Sequence, residues 1–415
     1  MSNKPILSIP SLGRDNGELS PLAADLKSAL NGAYNLNIAT GARDLKELVG
    51  GHITASDSML FMGDPLTKDS IGDMALLYLI LDAIQSGMPM GMQWADNYQM
   101  KINGDGLAYA KPVVMLDSDG HYQLFIDRVM ELKQHGLLKP EKADLIYRPD
   151  NTGILKLATK PREVVELLHA PPIMIKPFEA KDDDAMQHIR KDGLQRPDPL
   201  RLQTFVCCSF STTNPYFLDM AELTGAELAK AGFDLITGGG RGGMMLRTQK
   251  GAYENGAFVT GITFAQLNPI ARFNNHHSPG HYIHQIIGAD GMPHRIQKMA
   301  RQGNIILLLP GGFGTDTELF APLFLKAIGH HSMENTMIAV VDTENPLLSN
   351  QHNNTILLKM LERSGLKEGV DFERIAIDLT TKRESTQDTS ANQAAVQVAR
   401  ALEQIRRQSF GIVTR

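Results

Sequence analysis

The stretch Leu309-Pro-Gly-Gly-Phe-Gly-Thr-Asp-Thr-Glu318 decides how this chain is read. Ahead of it runs Asn304-Ile-Ile-Leu-Leu-Leu309, and after it Leu319-Phe-Ala-Pro-Leu-Phe-Leu-Lys-Ala-Ile328. A short apolar run stopped by Pro310, a glycine cluster and a longer apolar segment predict a buried strand, a tight loop and a helix starting near Thr315. Glycines let a backbone turn sharply and approach a ligand closely. The helix N-terminus presents unpaired N–H groups and the positive end of a dipole, a setting suited to phosphate. Glu318, about one turn into the helix, leans back toward the same pocket. The plainer alternative is a glycine turn in which Glu318 caps back onto Thr315. A strand, a glycine loop and a helix with an internal acid favour the ligand site.

Working outward, the second half alternates strand and helix: strands at 204–208, 233–237, 258–264, 304–309 and 337–341, and helices at 219–231, 318–328, 354–364 and 395–406. Such alternation predicts a parallel, doubly wound sheet. The first half has the same rhythm, with strands at 6–9, 36–39, 58–62, 113–116 and 145–147 and helices at 22–30 and 74–84. Between them lies a charged stretch, 176–201, with Pro177, Pro197, Pro199 and the acidic run Asp182-Asp-Asp184, which reads as a linker. The polar tail 381–391 reads as a mobile connection to the last helix.

The two halves echo each other at long period. Ser58-Met-Leu-Phe-Met62 and the apolar helix after it parallel 304–309 and 318–328; Pro112-Val-Val-Met-Leu-Asp117 parallels Ile338-Ala-Val-Val-Asp342; and Val129–Leu137 parallels Leu358–Leu366. The expected architecture is α/β, two doubly wound parallel-sheet (Rossmann-like) domains in tandem: 1–175, a linker 176–201, and 202–415.

Composition sets the class. The 415 residues are 42% hydrophobic and 21% charged, enough apolar material for sizeable cores and unlike a disordered or fibrous chain. A formal charge of -5 provides no global field toward nucleic acid or an anionic membrane. Apolar runs such as 74–84, with Asp82 inside, are too short to span a bilayer. The N-terminus shows no signal-peptide pattern. Cys207 and Cys208 are adjacent, so in a strand their side chains point to opposite faces and a disulfide is not expected. A soluble protein of a reducing, cytoplasmic compartment is the expectation, acting on no nucleic acid and no membrane.

Two further motifs flank the first. Thr237-Gly-Gly-Gly-Arg-Gly-Gly-Met-Met245 contains the spacing Gly238-x-Gly240-x-x-Gly243, formally a dinucleotide fingerprint. A dinucleotide site needs an acid at the end of the next strand to hold the ribose, and Phe258-Val-Thr-Gly-Ile-Thr-Phe264 offers none. The loop therefore reads as a phosphate- or mononucleotide-contacting one. Gly291-Met-Pro-His-Arg-Ile-Gln-Lys-Met299 brings Arg295, a fixed positive charge for a phosphate or a developing anion. His276, His277, His281, His284 and His294 crowd one region, but their spacing matches no zinc pattern, so no metal is expected; a loop over the site is the reading. Lys298 reads as a helix-face lysine rather than a Schiff-base one.

These segments resemble the Lonely-Guy family of nucleoside-monophosphate phosphoribohydrolases, often mislabelled lysine decarboxylases. The family pattern is Gly-Ser after the first strand, Gly-Gly-Gly-x-x-Gly-x-Met, Met-x-x-Arg-Lys-x-x-Met and Pro-Gly-Gly-x-Gly-Thr-x-x-Glu. This chain has Cys208-Ser209, Gly238 to Met245, Met292 to Met299, and the last motif complete from Pro310 to Glu318. Cys208 stands where the family has glycine and Ile296 where it has lysine. In the first half, Lys111-Pro-Val-Val-Met-Leu-Asp-Ser-Asp-Gly-His-Tyr122 is similar to another family segment, yet aligning Ala83-Ile84 with Ala327-Ile328 sets Met74 opposite Glu318. That half is expected to be a degenerate, catalytically silent copy.

The resemblance implies hydrolysis of the N-glycosidic bond of a nucleoside 5′-monophosphate, AMP-like or cytokinin-riboside-like, without metal or organic cofactor. It implies catalytic roles for Glu318, facing the oxocarbenium character that develops on the ribose, and for Arg295, on phosphate or on Glu318. Gly311, Gly312, Gly314 and Thr315 would cradle the phosphate; Gly239, Gly240 and Met244 would line the cleft, with Ser209 at its floor. Family members act as dimers, so the first half would take the partner's place in an intramolecular pseudo-dimer, with further homo-oligomers possible. The alternative function is a non-catalytic nucleotide-binding or carrier protein of the same fold.

Overall fold

A computed structural model describes residues 6–8, 30, 35–37, 58–62, 71–85, 108–110, 113–117, 120, 122–170, 173–175, 199–264, 282–289, 292–344, 352–377 and 387–410. The expected helix at 22–30 (apart from Leu30), residues 176–198 of the expected linker 176–201, residues 273–281 of the histidine-rich run and residues 381–386 of the expected tail 381–391 lie outside these residues. The rest of that tail is instead the start of the last helix, which begins at Gln387 rather than at 395.

The first half contributes strands β1 (Ile6–Ser8), β2 (Asn35–Asn37) and β3 (Ser58–Met62), then helix α1 (Ile71–Gln85). There follow β4 (Ala108–Ala110), β5 (Val113–Leu116), α2 (Gln123–Gln134), α3 (Pro140–Ile146), β6 (Leu155–Ala158), α4 (Pro161–Leu168) and β7 (Ile173–Ile175). β1, β2, β3, β5 and β6 form a parallel sheet in the order β2-β1-β3-β5-β6, while β4 and β7 pair antiparallel apart from it. The expected strand at 145–147 is instead the end of α3. Pro140 sits in its first turn after an extended Lys139, where the missing N–H costs nothing, and the short apolar run continues the helix. The edge strand is Leu155–Ala158, ten residues on.

The second half contributes β8 (Leu202–Cys207), α5 (Pro215–Lys230), β9 (Phe233–Thr237), α6 (Gly243–Glu254), β10 (Val259–Phe264) and β11 (Gln285–Ala289). Then come α7 (Met292–Gln302), β12 (Ile305–Leu308), α8 (Phe313–Ala327), β13 (Met337–Thr343), α9 (Thr355–Arg363), β14 (Glu373–Ile377) and α10 (Gln387–Phe410). Its seven strands are all parallel, in the order β11-β10-β9-β8-β12-β13-β14. Without its outer β11 and β10, this sheet repeats the order of the first one strand for strand. The chain is thus α/β with two doubly wound parallel sheets. The order reverses between β8 and β12, and in such sheets ligands bind at the carboxyl ends of strands beside that switch point.

The halves meet through equivalent elements: α1 packs on α8, and α2 on α9. Residues 71–81 of α1 are all buried, and so are 315–325 of α8. A helix apolar on every side cannot face water and must be covered on every side. Each covers the other, and one continuous core runs from Met59 and Phe61 through α1 and α8 to β12 and β13. At its centre Tyr78 stacks on Phe320, with ring centroids 5.0 Å apart and planes 7° from parallel, and meets Phe125 edge-on at 5.5 Å.

Candidate functional site

The strand ends beside the switch point are knitted together by backbone. Ser209 N donates to Pro310 O at 3.1 Å, tying the end of β8 to the glycine loop after β12. Met244 N donates to Ser209 O at 2.8 Å, bringing in the first turn of α6. Ser209 Oγ accepts from Thr212 N, which shapes the loop after β8. The 237–245 loop is anchored from beneath: Gln249 Nε2 and Gly239 N both donate to Thr237 Oγ1. Gly239 has φ +74°, a left-handed conformation natural to glycine, and its Cα lies against Gly261. Gly240 N donates to Met245 Sδ, while the Met244 side chain is fully buried in the core. Met244 thus turns its side chain into the core, and Met245 is the methionine that supports the loop.

Arg295 projects from α7 into this edge and is buried. Its Nε donates to Ile262 O and its Nη2 to Gly238 O, both at 2.8 Å, so the guanidinium braces the ends of β9 and β10. A Cβ at Gly238 would collide with Nη2, which explains glycine at that position. Burial pulls the Arg295 pKa down, and the charges of Glu318 and Asp82 pull the other way. Lys298, one turn on, donates to Gly288 O at 2.7 Å.

The helix α8 begins at Phe313, two residues earlier than expected, with Gly312 as its N-cap. A glycine N-cap has no side chain to satisfy the first-turn N–H groups, which leaves them suited to an anion. Thr315 packs its hydroxyl against Gly311. Glu318 is buried, and Pro322 lies four residues further along the helix. Proline has no N–H, so the Glu318 carbonyl loses its helical partner; Cys207 Sγ lies 4.0 Å from that oxygen and donates to it. Burial pushes the Glu318 carboxyl up to about 8; Arg295 holds it back, the charge of Asp82 raises it further, and the Cys207 thiol lowers it slightly. The expected group of Ser209, Gly239, Gly240, Arg295, Gly311, Gly312, Gly314, Thr315 and Glu318 is thus brought to one sheet edge.

Three residues of the first half reach this region, and none was among the expected site residues. Arg128 of α2 forks onto Asp316 of α8, with Nε–Oδ2 at 3.0 Å and Nη2–Oδ1 at 2.8 Å, both side chains fully buried. Burial pulls the Arg128 pKa down, but the Asp316 and Glu131 charges outweigh it and push it up. Burial raises the Asp316 carboxyl as well, against the Arg128 charge, but a two-pronged fork at these distances is the geometry of a charged pair. Glu131 completes the group, accepting from Arg128 Nη1 at 2.6 Å and from Ile356 N at 3.0 Å. Asp82, in the last turn of α1, is half-buried beside Gly314, and burial pushes it up to about 6.

Of the histidines, His284 stacks between Tyr253 and Phe258 and accepts from Val259 N at 3.1 Å, a packing role. Among the described residues, no group of three or more His, Cys, Asp or Glu side chains is placed to hold a metal. Likewise no described helix is long and apolar enough to cross a membrane.

Comparison with known proteins places this edge. Residues 245–367, from α6 into the turn after α9, match the model of a family described as possible lysine decarboxylase. The cytokinin riboside 5′-monophosphate phosphoribohydrolase LOG of Oryza sativa subsp. japonica is 28% identical over 178 residues, 43% of this chain and 68% of that protein. The probable cytokinin riboside 5′-monophosphate phosphoribohydrolase LOGL2 of the same plant is 29% identical over 143 residues, 34% of this chain and 56% of that protein. The chain thus spans a little over half to about two thirds of the length of these relatives. A solved molybdenum cofactor carrier protein of Chlamydomonas reinhardtii aligns at 19% identity and a TM-score of 0.32, covering 48% of this chain and 99% of that one. With the motifs from Ser209 to Glu318 gathered at the same strand ends, the second half of this chain is similar to the Lonely-Guy (LOG) family, departing from its pattern at Cys208 and Ile296.

Proposed function

We propose that this cleft hydrolyses the N-glycosidic bond of a nucleoside 5′-monophosphate, releasing free base and ribose 5-phosphate. The observation that carries the reading is Glu318, a buried carboxyl raised to about 8, one turn into the helix behind an uncapped glycine loop. An anion site and an acid one turn apart match a substrate with a phosphate at one end of the ribose and the scissile bond at the other. In this reading Gly311, Gly312, Gly314 and Thr315 take the phosphate, and Glu318 faces the ribose and the bond that breaks. Arg295, braced on two carbonyls, positions Glu318 by its charge. Curated relatives named as phosphoribohydrolases support the same chemistry. The bond breaks with its electron pair on the base nitrogen, which gains a proton, and water supplies the hydroxyl at the sugar carbon.

The first half, with its repeated strand order and matching helix contacts, is read as a tandem copy that takes the place of a second subunit. The test is a product assay on the full chain with AMP, GMP, CMP, UMP and a cytokinin riboside monophosphate, following free base by chromatography. Base release from at least one, abolished in Glu318→Ala with the fold retained, is the expected result. Nucleotide binding without base from any of them would instead support a carrier of the same fold.

A further inference from the structure

The first half was expected to be silent because Met74 stands where the second half has Glu318. Yet α1 crosses α8 antiparallel. Tyr78 meets Phe320 at mid-helix, and four residues further along α1 the contact has moved six residues back along α8, to Gly314. This brings the end of α1, eight residues beyond Met74, over the first turn of α8. The residue there is Asp82. A Cβ at Gly314 would lie 2.9 Å from Asp82 Oδ1, so the carboxylate rests directly on the first turn of α8, four residues ahead of Glu318 on the same helix face.

We propose that the first half supplies the cleft with a second carboxyl, Asp82, which acts as a positioning residue by sharing a proton with Glu318 across the boundary between the halves. The proposal rests on the reading of Glu318 as the catalytic carboxyl. The groups facing the pair are Arg295 from α7 and, beside Glu318, Cys207 and Cys208 from the end of β8. Arg295 is held on Ile262 O and Gly238 O, so its single charge is fixed and offsets one carboxylate, not two. Like charges in a shielded cleft resist joint ionisation, and a pair so placed retains one proton over a range in which isolated carboxyls have lost both. The uneven burial favours the proton on Glu318: Asp82 is half-buried, Glu318 buried. Near neutrality the three groups then sum to no net charge, which admits a phosphate; a second ionisation would oppose it.

The test uses the full chain. Asp82→Asn removes the like charge at nearly constant shape. The expected result is a fall of tenfold or more in kcat for AMP with a smaller change in KM. The midpoint of the pH–rate profile assigned to Glu318 should move to lower pH, on the order of one unit; Asp82→Glu should recover part of both. Gly314→Ala, which pushes the Asp82 carboxylate away without altering it, should move the same midpoint in the same direction. A midpoint unchanged in both variants, or kcat within twofold of the parent in Asp82→Asn, overturns the proposal. Failure of the hydrolase reading is told apart by an infrared titration of the Glu318 carboxyl band, identified by its loss in Glu318→Gln. A lower midpoint in Asp82→Asn supports the shared proton even where no nucleotide is cleaved, and an unmoved one refutes it.

Discussion

Arg128 of the first half and Asp316 of the second form a fully buried, two-pronged ion pair between two helices 188 residues apart in sequence. Asp316 lies inside the Pro-Gly-Gly-x-Gly-Thr-x-x-Glu motif, two residues before Glu318, so the first half grips the helix that carries Glu318. Breaking one side of such a pair strands a buried charge and costs about 3–5 kcal/mol. Arg128→Ala should therefore lower the unfolding free energy by that order, seen as a lower denaturation midpoint with the slope of the transition unchanged. Replacing both partners, Arg128→Met with Asp316→Leu, should recover much of the loss. A single variant as stable as the parent would contradict the buried pair.

Stability should depend on pH through the same cleft. Glu318 titrates near 8 in the folded protein against 4.5 as an ordinary side chain, and Asp82 near 6 against 3.8. Over those windows the folded chain holds protons that the unfolded chain has released, so stability falls as pH rises from about 4 to 8 and levels off above. Glu318→Gln removes the larger contribution. It should be the more stable protein at pH 9, on the order of a few kcal/mol, and nearly equal to the parent at pH 4.5. Chemical denaturation at the two pH values decides it.

Arg295→Lys keeps the charge but not the fork. A lysine ammonium cannot hold both Ile262 O and Gly238 O in the Arg295 geometry, so the loops at the ends of β9 and β10 lose their brace. Stability should drop by about 1–3 kcal/mol and base release by tenfold or more, the latter equivalent to at least about 1.4 kcal/mol of barrier. Full activity would show that only the charge of Arg295 counts.

Pro322→Ala gives the Glu318 carbonyl back a helical donor. The helix gains about 2–3 kcal/mol of propensity, part of which is lost with the buried ring contacts, so a net rise of about 1 kcal/mol is expected. Turnover should fall because Glu318 now follows a regular helix and the Cys207 thiol loses its acceptor. A gain in both stability and turnover would remove Pro322 from the positioning of Glu318.

Much of this was legible in the chain. The 309–318 stretch read correctly as strand, loop and helix because each segment carries its own local cause: an apolar run, a glycine cluster, an apolar helix. The strands at 285–289 and 155–158 were missed for the converse reason. Gln285-Ile-Ile-Gly-Ala289 follows a histidine- and asparagine-rich run that reads as loop, and Leu155–Ala158 alternates around Lys156, whose ammonium bonds to Asn151 O and Gly153 O. Helix α3 was mistaken for a strand because three apolar residues show no period. Arg128 and Tyr78 carry no local signal, and Asp82 only that of an acid inside an apolar run. Their partners lie across the boundary, and only the antiparallel crossing of α1 on α8 brings them to the site.

The equivalent helices that pack together belong to one polypeptide, and this has a consequence for concentration. A cleft shared by two separate chains loses its second wall on dilution, to an extent set by their dissociation constant. Here the wall is tethered, with a local concentration fixed by the connecting segment and independent of how many molecules surround it. Specific activity should accordingly stay constant across the dilution series in which a two-chain site would fade.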